Sequence, residues 1–185
     1  MSDALDPKRT SRDLNEIQEL LTKWIREKVT DSEVVISDLR RPSGSGMSSE
    51  TLLFTTDSKN TDLSSEQRLV ARLAPTSEDI PVFQEYDLGL QVEIMKIIRE
   101  RTSIPVPNVL WLETNPHVLG VPFFVMEQIE GRVPPDIPPY VFGGWLLDAS
   151  QENRETLERQ SVEIICELSK IDIEGIDTGF LENGF

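Results

Sequence analysis

The segment Arg41-Pro42-Ser43-Gly44-Ser45-Gly46-Met47-Ser48-Ser49 is built mostly from small residues, with two glycines and one proline. Residues 33–39 precede it and residues 51–56 follow it, and both flanks are rich in β-branched or aromatic residues, which favour strands. The glycines between them favour a turn, because glycine adopts backbone conformations that other residues avoid. The sequence therefore predicts a strand, a glycine-rich loop and a second strand.

A helix is predicted before the first of these strands. Its apolar residues recur at helical spacing, namely Leu14, Ile17, Leu20, Leu21, Trp24 and Ile25. Thr10 and Asp13 stand in a capping-box arrangement at its start. The residues before this helix, 1–11, are predicted to be disordered.

Three more strands are predicted after the loop, at residues 68–73, 108–113 and 123–129. A second helix is predicted over about residues 85–101. The apolar face of that helix consists of Leu88, Val92, Met95 and Ile98. This order of elements predicts an α+β fold with a five-stranded antiparallel sheet and helices.

The chain changes character after Gly131. It is rich in proline up to Tyr140, which predicts an extended linker or a lid. A third helix is predicted over about residues 153–169, with an apolar side formed by Leu157, Ile164, Ile165 and Leu168. The predicted divisions are a disordered terminus at 1–11, a small lobe at 12–130, a hinge and proline-rich insert at 131–152 and the start of a helical second lobe at 153–185.

The charge balance is strongly acidic. There are 33 acidic and 18 basic residues, which give a formal net charge of -15. Such a negative potential repels the phosphates of nucleic acids and of anionic lipids, so neither a nucleic acid nor a membrane is expected as a partner. It would favour a cationic substrate, although an acidic surface also serves to keep ordinary proteins dispersed.

The sequence predicts a cytoplasmic protein. The first residues contain no apolar core of a signal peptide, and no stretch approaches the roughly 20 apolar residues of a membrane span. Cys166 is the single cysteine, so an internal disulfide is excluded. Because apolar residues surround it, a buried packing role is predicted for this thiol.

Four segments resemble, in their order and spacing, the aminoglycoside phosphotransferase and choline kinase-like family: residues 44–51, 69–72, 105–107 and 123–131. The proline-rich segment 133–143 resembles the actinobacterial members of that family in particular. The resemblance spans about residues 12–172. It implies that the predicted sheet is the small lobe of a kinase-like fold and that a helical second lobe begins after it.

The resemblance implies an ATP site. A loop of small residues can lay backbone N–H groups over the phosphates, and the residues implied here are Ser43, Gly44, Ser45, Gly46, Met47, Ser48 and Ser49. A cation from the third strand would reach the same phosphates, and that position is Arg72. The family usually orients the cation with a glutamate on the next helix. Gln91 occupies the matching position here, with Glu85 and Glu93 as nearby alternatives.

The resemblance also implies where the adenine is read. The C=O of Glu127 and the N–H of Ile129 match the hinge positions of the family, with Met126 behind the base. The implied reaction transfers the γ-phosphate of ATP to a hydroxyl of a small-molecule alcohol, with Mg²⁺ on the phosphates. Which alcohol is used is left open.

The catalytic residues of the family are not found in this pattern. His117 is the single histidine, and because Val118 and Leu119 follow it, it is predicted to be a turn residue rather than part of a His-x-Asp catalytic loop. In the family, the catalytic loop and the metal-binding aspartate come later than the position of Phe185. We therefore expect no catalytic residue and no metal ligand in this sequence, and self-association through the uncovered third helix.

Two other hypotheses remain open at this level. The chain could be a non-catalytic nucleotide-binding or interaction module, in which Gln91 and the lack of the second lobe are the working state rather than the result of truncation. Alternatively, its acidic and proline-rich surface could serve as a protein-docking face without nucleotide binding.

Overall fold

The computed structural model describes most of the chain. The described residues are 12–42, 49–58, 66–76, 86–134, 139–172 and 174–176. The predicted phosphate-loop residues Ser43 to Ser48, the alternative Glu85 and the terminal segment 1–11 lie outside them. Ser49 and the other predicted site residues lie within them.

The described residues contain eight regular elements in the predicted order of helices and strands, which confirms the α+β class. They are α1 (Leu14–Val29), β1 (Val35–Arg40), β2 (Glu50–Asp57), β3 (Glu66–Leu73), α2 (Leu88–Arg101), β4 (Val109–Glu113), β5 (Phe123–Glu127) and α3 (Gln151–Leu168). The five strands form one sheet in the order β1-β2-β3-β5-β4. The pairs β1–β2, β2–β3 and β3–β5 are antiparallel.

Helix α1 begins at an aspartate cap. The Asp13 carboxylate accepts a hydrogen bond from the Asn15 N–H at 2.9 Å, which satisfies one of the backbone donors that a helix start leaves unpaired. The predicted apolar stripe is confirmed in part, since its buried members are Ile17, Leu21, Trp24 and Ile25. Leu20 of the same stripe is 40% exposed.

The core lies on the face of the sheet that packs against α1. Alternate residues of a strand point to opposite faces, and on β3 the fully buried positions are Leu69, Ala71 and Leu73. Phe123 of β5 pairs with Leu73, and its ring lies 4.7 Å from that of Trp24 in α1. Trp24 also packs edge-on against Trp111 of β4. A single indole thus joins the helix to two strands.

Strand β1 is irregular near its end. Ser37 pairs with Thr55 of β2, but the next pair is Arg40 with Leu53, so the register shifts between them. Asp38 within this bulge has a φ of 55°, a conformation that few residues other than glycine adopt. The sequence predicted an uninterrupted strand over residues 33–39, because a bulge leaves no mark in the pattern of apolar residues.

The chain divides into two compact units. The first contains Met1–Leu88 and Leu110–Gln128, and the second contains Gly89–Val109 and Ile129–Phe185. The first unit therefore contains α1 and nearly the whole sheet. The second contains α3 and all of α2 after its first residue.

Within the second unit, the end of α3 is bonded to the segment after α2. Glu167 accepts hydrogen bonds from both the N–H and the hydroxyl of Ser103, each at 2.8 Å. These two donors lower the pKa of the Glu167 carboxyl, first through the backbone bond and then through the hydroxyl bond.

Helix α3 leaves its apolar side uncovered by the described residues. No residue of α3 is buried, and Ile165 is 66% exposed. Cys166 is exposed as well, so its predicted burial is wrong. The apolar residues beside Cys166 gave the pattern of a core helix, but pattern alone does not show whether a second layer covers that face.

Among the described residues, no helix combines the length and the apolar character that crossing a membrane would need.

Candidate nucleotide-phosphate site

Arg72 lies on the face of the sheet opposite the α1 core. In the ladder it pairs with Thr51 of β2 and with Phe124 of β5, whereas its neighbours Ala71 and Leu73 face α1. The side chain is half-buried. A flexible cation is therefore held near the end of a central strand, next to the point where β2 begins.

Ser49 holds this arginine by one nitrogen. The Nε–H of Arg72 donates a hydrogen bond to the Ser49 hydroxyl oxygen at 2.9 Å. No hydrogen bond from Nη1 or Nη2 of Arg72 is recorded to the residues that the structure describes. These two nitrogens form the fork with which arginine binds carboxylates and phosphates. The predicted residues Ser49 and Arg72 are thus brought together, and the Nη1 and Nη2 edge of Arg72 is not used by any residue that the structure describes.

Arg41 and Glu50, at the two ends of the predicted glycine loop, form a charged cluster with Arg12, which lies just before α1. The Arg41 guanidinium donates to Glu50 Oε1 from Nε at 2.9 Å and from Nη2 at 2.7 Å. Arg12 approaches the other oxygen, with its Nε 3.9 Å from Glu50 Oε2. We call Arg12, Arg41 and Glu50 the anchoring cluster. Sequence analysis missed it, because only the three-dimensional register brings these residues together.

The anchoring cluster also reaches two parts of the backbone. Arg41 Nη2 donates to the Arg12 carbonyl at 3.1 Å, and Arg12 Nη1 donates to the Leu119 carbonyl at 3.3 Å. The segment before α1, the end of β1, the start of β2 and the turn before β5 are therefore tied together. The only sequence signal was that charged residues flank the loop on both sides.

An apolar strip runs along the same sheet face from Arg72. Val70, two residues before Arg72 on β3, pairs with Leu53 of β2 and with Met126 of β5. Because directly paired residues share a face, these three side chains lie side by side. Leu53 and Met126 are half-buried and Val70 is buried, so the strip offers a partly exposed apolar surface beside a cation, a combination that suits a purine nucleotide.

Strand β5 ends earlier than predicted. The sequence placed its end at Ile129, but the strand stops at Glu127, and Ile129 is 58% exposed. The Gln128 N–H donates to the Arg68 carbonyl of β3 at 3.0 Å. Because successive backbone groups of an extended chain point to opposite edges, the backbone of Glu127 faces away from β3.

The residues predicted to orient Arg72 belong to α2. Gln91 is half-buried and lies in the second unit. Glu93 forms an exposed ion pair with Lys96 one helical turn later, at 2.8 Å. This pairing is that of an ordinary helix surface charge. The orienting role of Gln91 stays a prediction.

Three other features bear on chemistry. Among the described residues, no group of three or more His, Cys, Asp or Glu side chains could hold a metal ion. His117 lies in a turn, as predicted, and its N–H donates to Asn115 Oδ1 at 3.0 Å. The second unit contains an open cavity of about 610 Å³ beside Arg132, whose guanidinium stacks 4.7 Å from the ring centre of Trp145.

Known proteins resemble this chain in both sequence and structure. The sequence model of the phosphotransferase enzyme family matches residues 40–182. An Arabidopsis thaliana protein named probable acyl-CoA dehydrogenase IBR3 is 30% identical over 135 residues, which cover 72% of this chain. A solved Ralstonia eutropha structure, provisionally named an aminoglycoside phosphotransferase, is 23% identical over 62% of this chain, with a TM-score of 0.43.

The matched relatives are much longer than the stretch they share with this chain. The match covers 15% of the Arabidopsis protein and 28% of the Ralstonia chain. The family match includes β2, β3 and β5, which carry Ser49, Arg72 and the apolar strip.

Proposed function

Because this chain belongs to the phosphotransferase enzyme family, we propose that it binds the phosphates and the base of ATP, with Arg72 and the apolar strip supplied by the first unit. The phosphates would lie against Arg72 and the predicted glycine loop. The base would lie on the apolar strip formed by Leu53, Val70 and Met126. The kinase-like small lobe predicted from the sequence agrees with the family and with the five-stranded antiparallel sheet.

The state of the Arg72 guanidinium is the observation that carries this proposal. One nitrogen is bonded to Ser49, and the other two have no recorded partner in the described part of the chain. A half-buried guanidinium with no anionic partner among the described residues has lost part of its hydration, so a phosphate oxygen is a favourable partner for it. The Ser49 hydroxyl is neutral, so its hydrogen bond does not neutralise the positive charge of Arg72.

The adenine would be read by the backbone after β5. The proposed acceptor is the C=O of Glu127, which faces away from β3, and the proposed donor is the N–H of Ile129. An acceptor and a donor two residues apart match the amino group and the ring nitrogen of adenine. Glu127 Cα pairs with Leu69, one position from Val70, so this backbone begins where the apolar strip ends.

The proposed reaction is transfer of the ATP γ-phosphate to a hydroxyl of a small molecule. Mg²⁺, when bound with the nucleotide, would supply positive charge that neutralises the phosphates. The role of this part of the chain is binding and orientation: Arg72 fixes the phosphates and the backbone near Ile129 fixes the base. The acceptor alcohol stays open, because family membership does not define the substrate.

The name of the Arabidopsis relative does not enter this proposal. The matched stretch is 15% of that protein, and the name probable acyl-CoA dehydrogenase belongs to the full-length protein.

The proposal is tested by calorimetric titration of ATP and adenosine into the protein and its Arg72→Ala variant. We expect ATP binding to weaken by about 1.5–3 kcal/mol, the range for a hydrogen bond to a charged group, and adenosine binding to stay unchanged. Arg40→Ala is the matched control, because Arg40 is exposed and its partner is Asp38. Equal losses for ATP and adenosine would contradict the phosphate assignment.

A further inference from the structure

Glu50 and Ser49 are neighbours in sequence but point to opposite faces of the sheet. Glu50 pairs with Leu73 and faces the α1 core, where its side chain is 8% exposed. Ser49 lies just before β2 and bonds to Arg72 on the other face. A change that moves Glu50 on the core face therefore moves Ser49 on the face of Arg72.

The Glu50 carboxylate is held by charge rather than by packing alone. A carboxylate removed from water is costly unless cations neutralise it, and Arg41 and Arg12 approach its two oxygens. Oε2 has no hydrogen-bond partner among the described residues, so the ion pair with Arg41 supplies the hydrogen bonds that fix the group. Loss of either member of this pair would release the start of β2.

We infer that Arg41 and Glu50 are positioning residues for Arg72, which act by fixing Ser49 so that the arginine keeps Nη1 and Nη2 free for an anion. This inference rests on the proposed phosphate role of Arg72 for its functional meaning. The positioning of Arg72 by way of Ser49 depends only on the hydrogen bonds and the ion pair described above. In this role, neither Arg41 nor Glu50 contacts the bound phosphate.

A competing role for Arg41 is direct contact with phosphate. The two roles make opposite predictions for Glu50. If Arg41 binds phosphate itself, removal of the Glu50 charge frees Arg41 and strengthens anion binding. If the pair positions Arg72, removal of either partner weakens anion binding.

The first measurement needs no ligand. The solvent-exchange rate of the Arg72 Nε–H is followed by NMR, with the signal assigned by its loss in Arg72→Lys. We expect exchange to become about tenfold faster in Glu50→Gln and in Arg41→Ala, because the hydrogen bond to Ser49 is weakened. Arg40→Ala should leave the rate unchanged. An unchanged rate in folded Glu50→Gln would overturn the inference.

A charge-swapped variant guards against simple misfolding. The double substitution Arg41→Glu with Glu50→Arg restores an ion pair at the same place and should return the Arg72 Nε–H exchange rate most of the way to that of the wild type. If the swapped protein is folded but its exchange stays fast, the pair does not position Arg72.

The second measurement uses inorganic tripolyphosphate. We expect Glu50→Gln and Arg41→Ala to weaken its binding by the same factor, and the double variant to be no weaker than either, because both remove one interaction. Weaker binding in Arg41→Ala but tighter binding in Glu50→Gln would assign Arg41 to the phosphate and overturn the positioning role. If the wild type does not bind tripolyphosphate, the proposed function fails, while the exchange measurement still decides the positioning role.

Discussion

Trp24 donates its indole N–H to Glu113 Oε2 across 2.7 Å, and this bond joins α1 to the last residue of β4. The Asn115 N–H donates to Glu113 Oε1 at 3.0 Å, and Lys28 Nζ lies 3.5 Å from Oε2. The Trp24 bond lowers the pKa of the Glu113 carboxyl most, followed by the Asn115 bond, with a smaller contribution from Lys28 against the opposing effect of burial. The carboxylate is therefore favoured in the folded state.

This relationship predicts a loss of stability in acid. Because the folded pKa of Glu113 is lowered, its contribution is complete above the unfolded pKa of about 4.3 and is lost as the pH falls through the lower, folded pKa. Glu113→Gln should cost about 1 kcal/mol at pH 7 and flatten the dependence of the unfolding free energy on pH below 5. Urea unfolding from pH 7 to pH 3 measures both effects. Glu19→Gln, an exposed change on α1, should leave the curve unaltered.

The core between α1 and the sheet predicts a large cost for truncation of Phe123. Its ring is fully buried and lies 4.7 Å from Trp24. Phe123→Ala should lower the free energy of unfolding by about 3–5 kcal/mol, because it leaves a cavity that its neighbours cannot fill. Leu20→Ala on the exposed side of α1 should change it by less than about 0.5 kcal/mol. Similar costs at both positions would contradict the packing described.

The hinge proposal predicts a backbone effect at Ile129. Ile129→Pro removes the proposed N–H donor and should abolish discrimination between ATP and other triphosphates, whereas Ile129→Ala keeps the donor and should bind ATP normally. Titration of ATP and of GTP into both variants measures this. Normal ATP selectivity in a folded Ile129→Pro protein would remove Ile129 from the base-reading site.

The uncovered side of α3 predicts self-association. Val162 and Ile165 are 54% and 66% exposed, and exposed apolar surface drives association. The net charge of -15 opposes it, but salt shortens the range of that repulsion from about 10 Å at 0.1 M to about 3 Å at 1 M. Light scattering should therefore report larger species as salt is added.

Ile165→Glu should suppress this growth, and Glu158→Gln on the same helix should not. A monomer at every salt concentration, with or without Ile165→Glu, would show that the exposed side chains do not associate.

Much of the fold could be predicted because apolar residues repeat with a different period in helices and in strands. The apolar repeat of α1 and the β-branched runs of β1 to β3 indicated both the type and the order of these elements. Contacts between distant residues could not be predicted in this way. The ion pair of Arg41 and Glu50 depends on the register of β2 with β1 and β3. The two charges are visible in the sequence, but their pairing and burial are not.

The predictions that were wrong failed for the same reason, because they depend on contacts with other parts of the chain. The end of β5 at Glu127 rather than Ile129 is set by pairing with β3, since Glu127 pairs with Leu69 in the last part of the ladder. The exposure of Cys166 depends on what covers α3, which a helical repeat does not reveal. For Ser49, the sequence indicated a phosphate-binding hydroxyl, and the structure adds its bond to Arg72.

The strand order has a consequence for how the chain folds. Strands β1, β2 and β3 pair with their neighbours in sequence, whereas Leu73 of β3 pairs with Phe123 of β5, about 50 residues later. Closing so long a loop costs entropy before any contact is gained, so we expect the three-stranded meander to form early and the β3–β5 pairing to limit the folding rate. The apolar strip that spans β2, β3 and β5 is then completed only in this late step, and an early folding intermediate would have Arg72 in place without the surface proposed to hold the base.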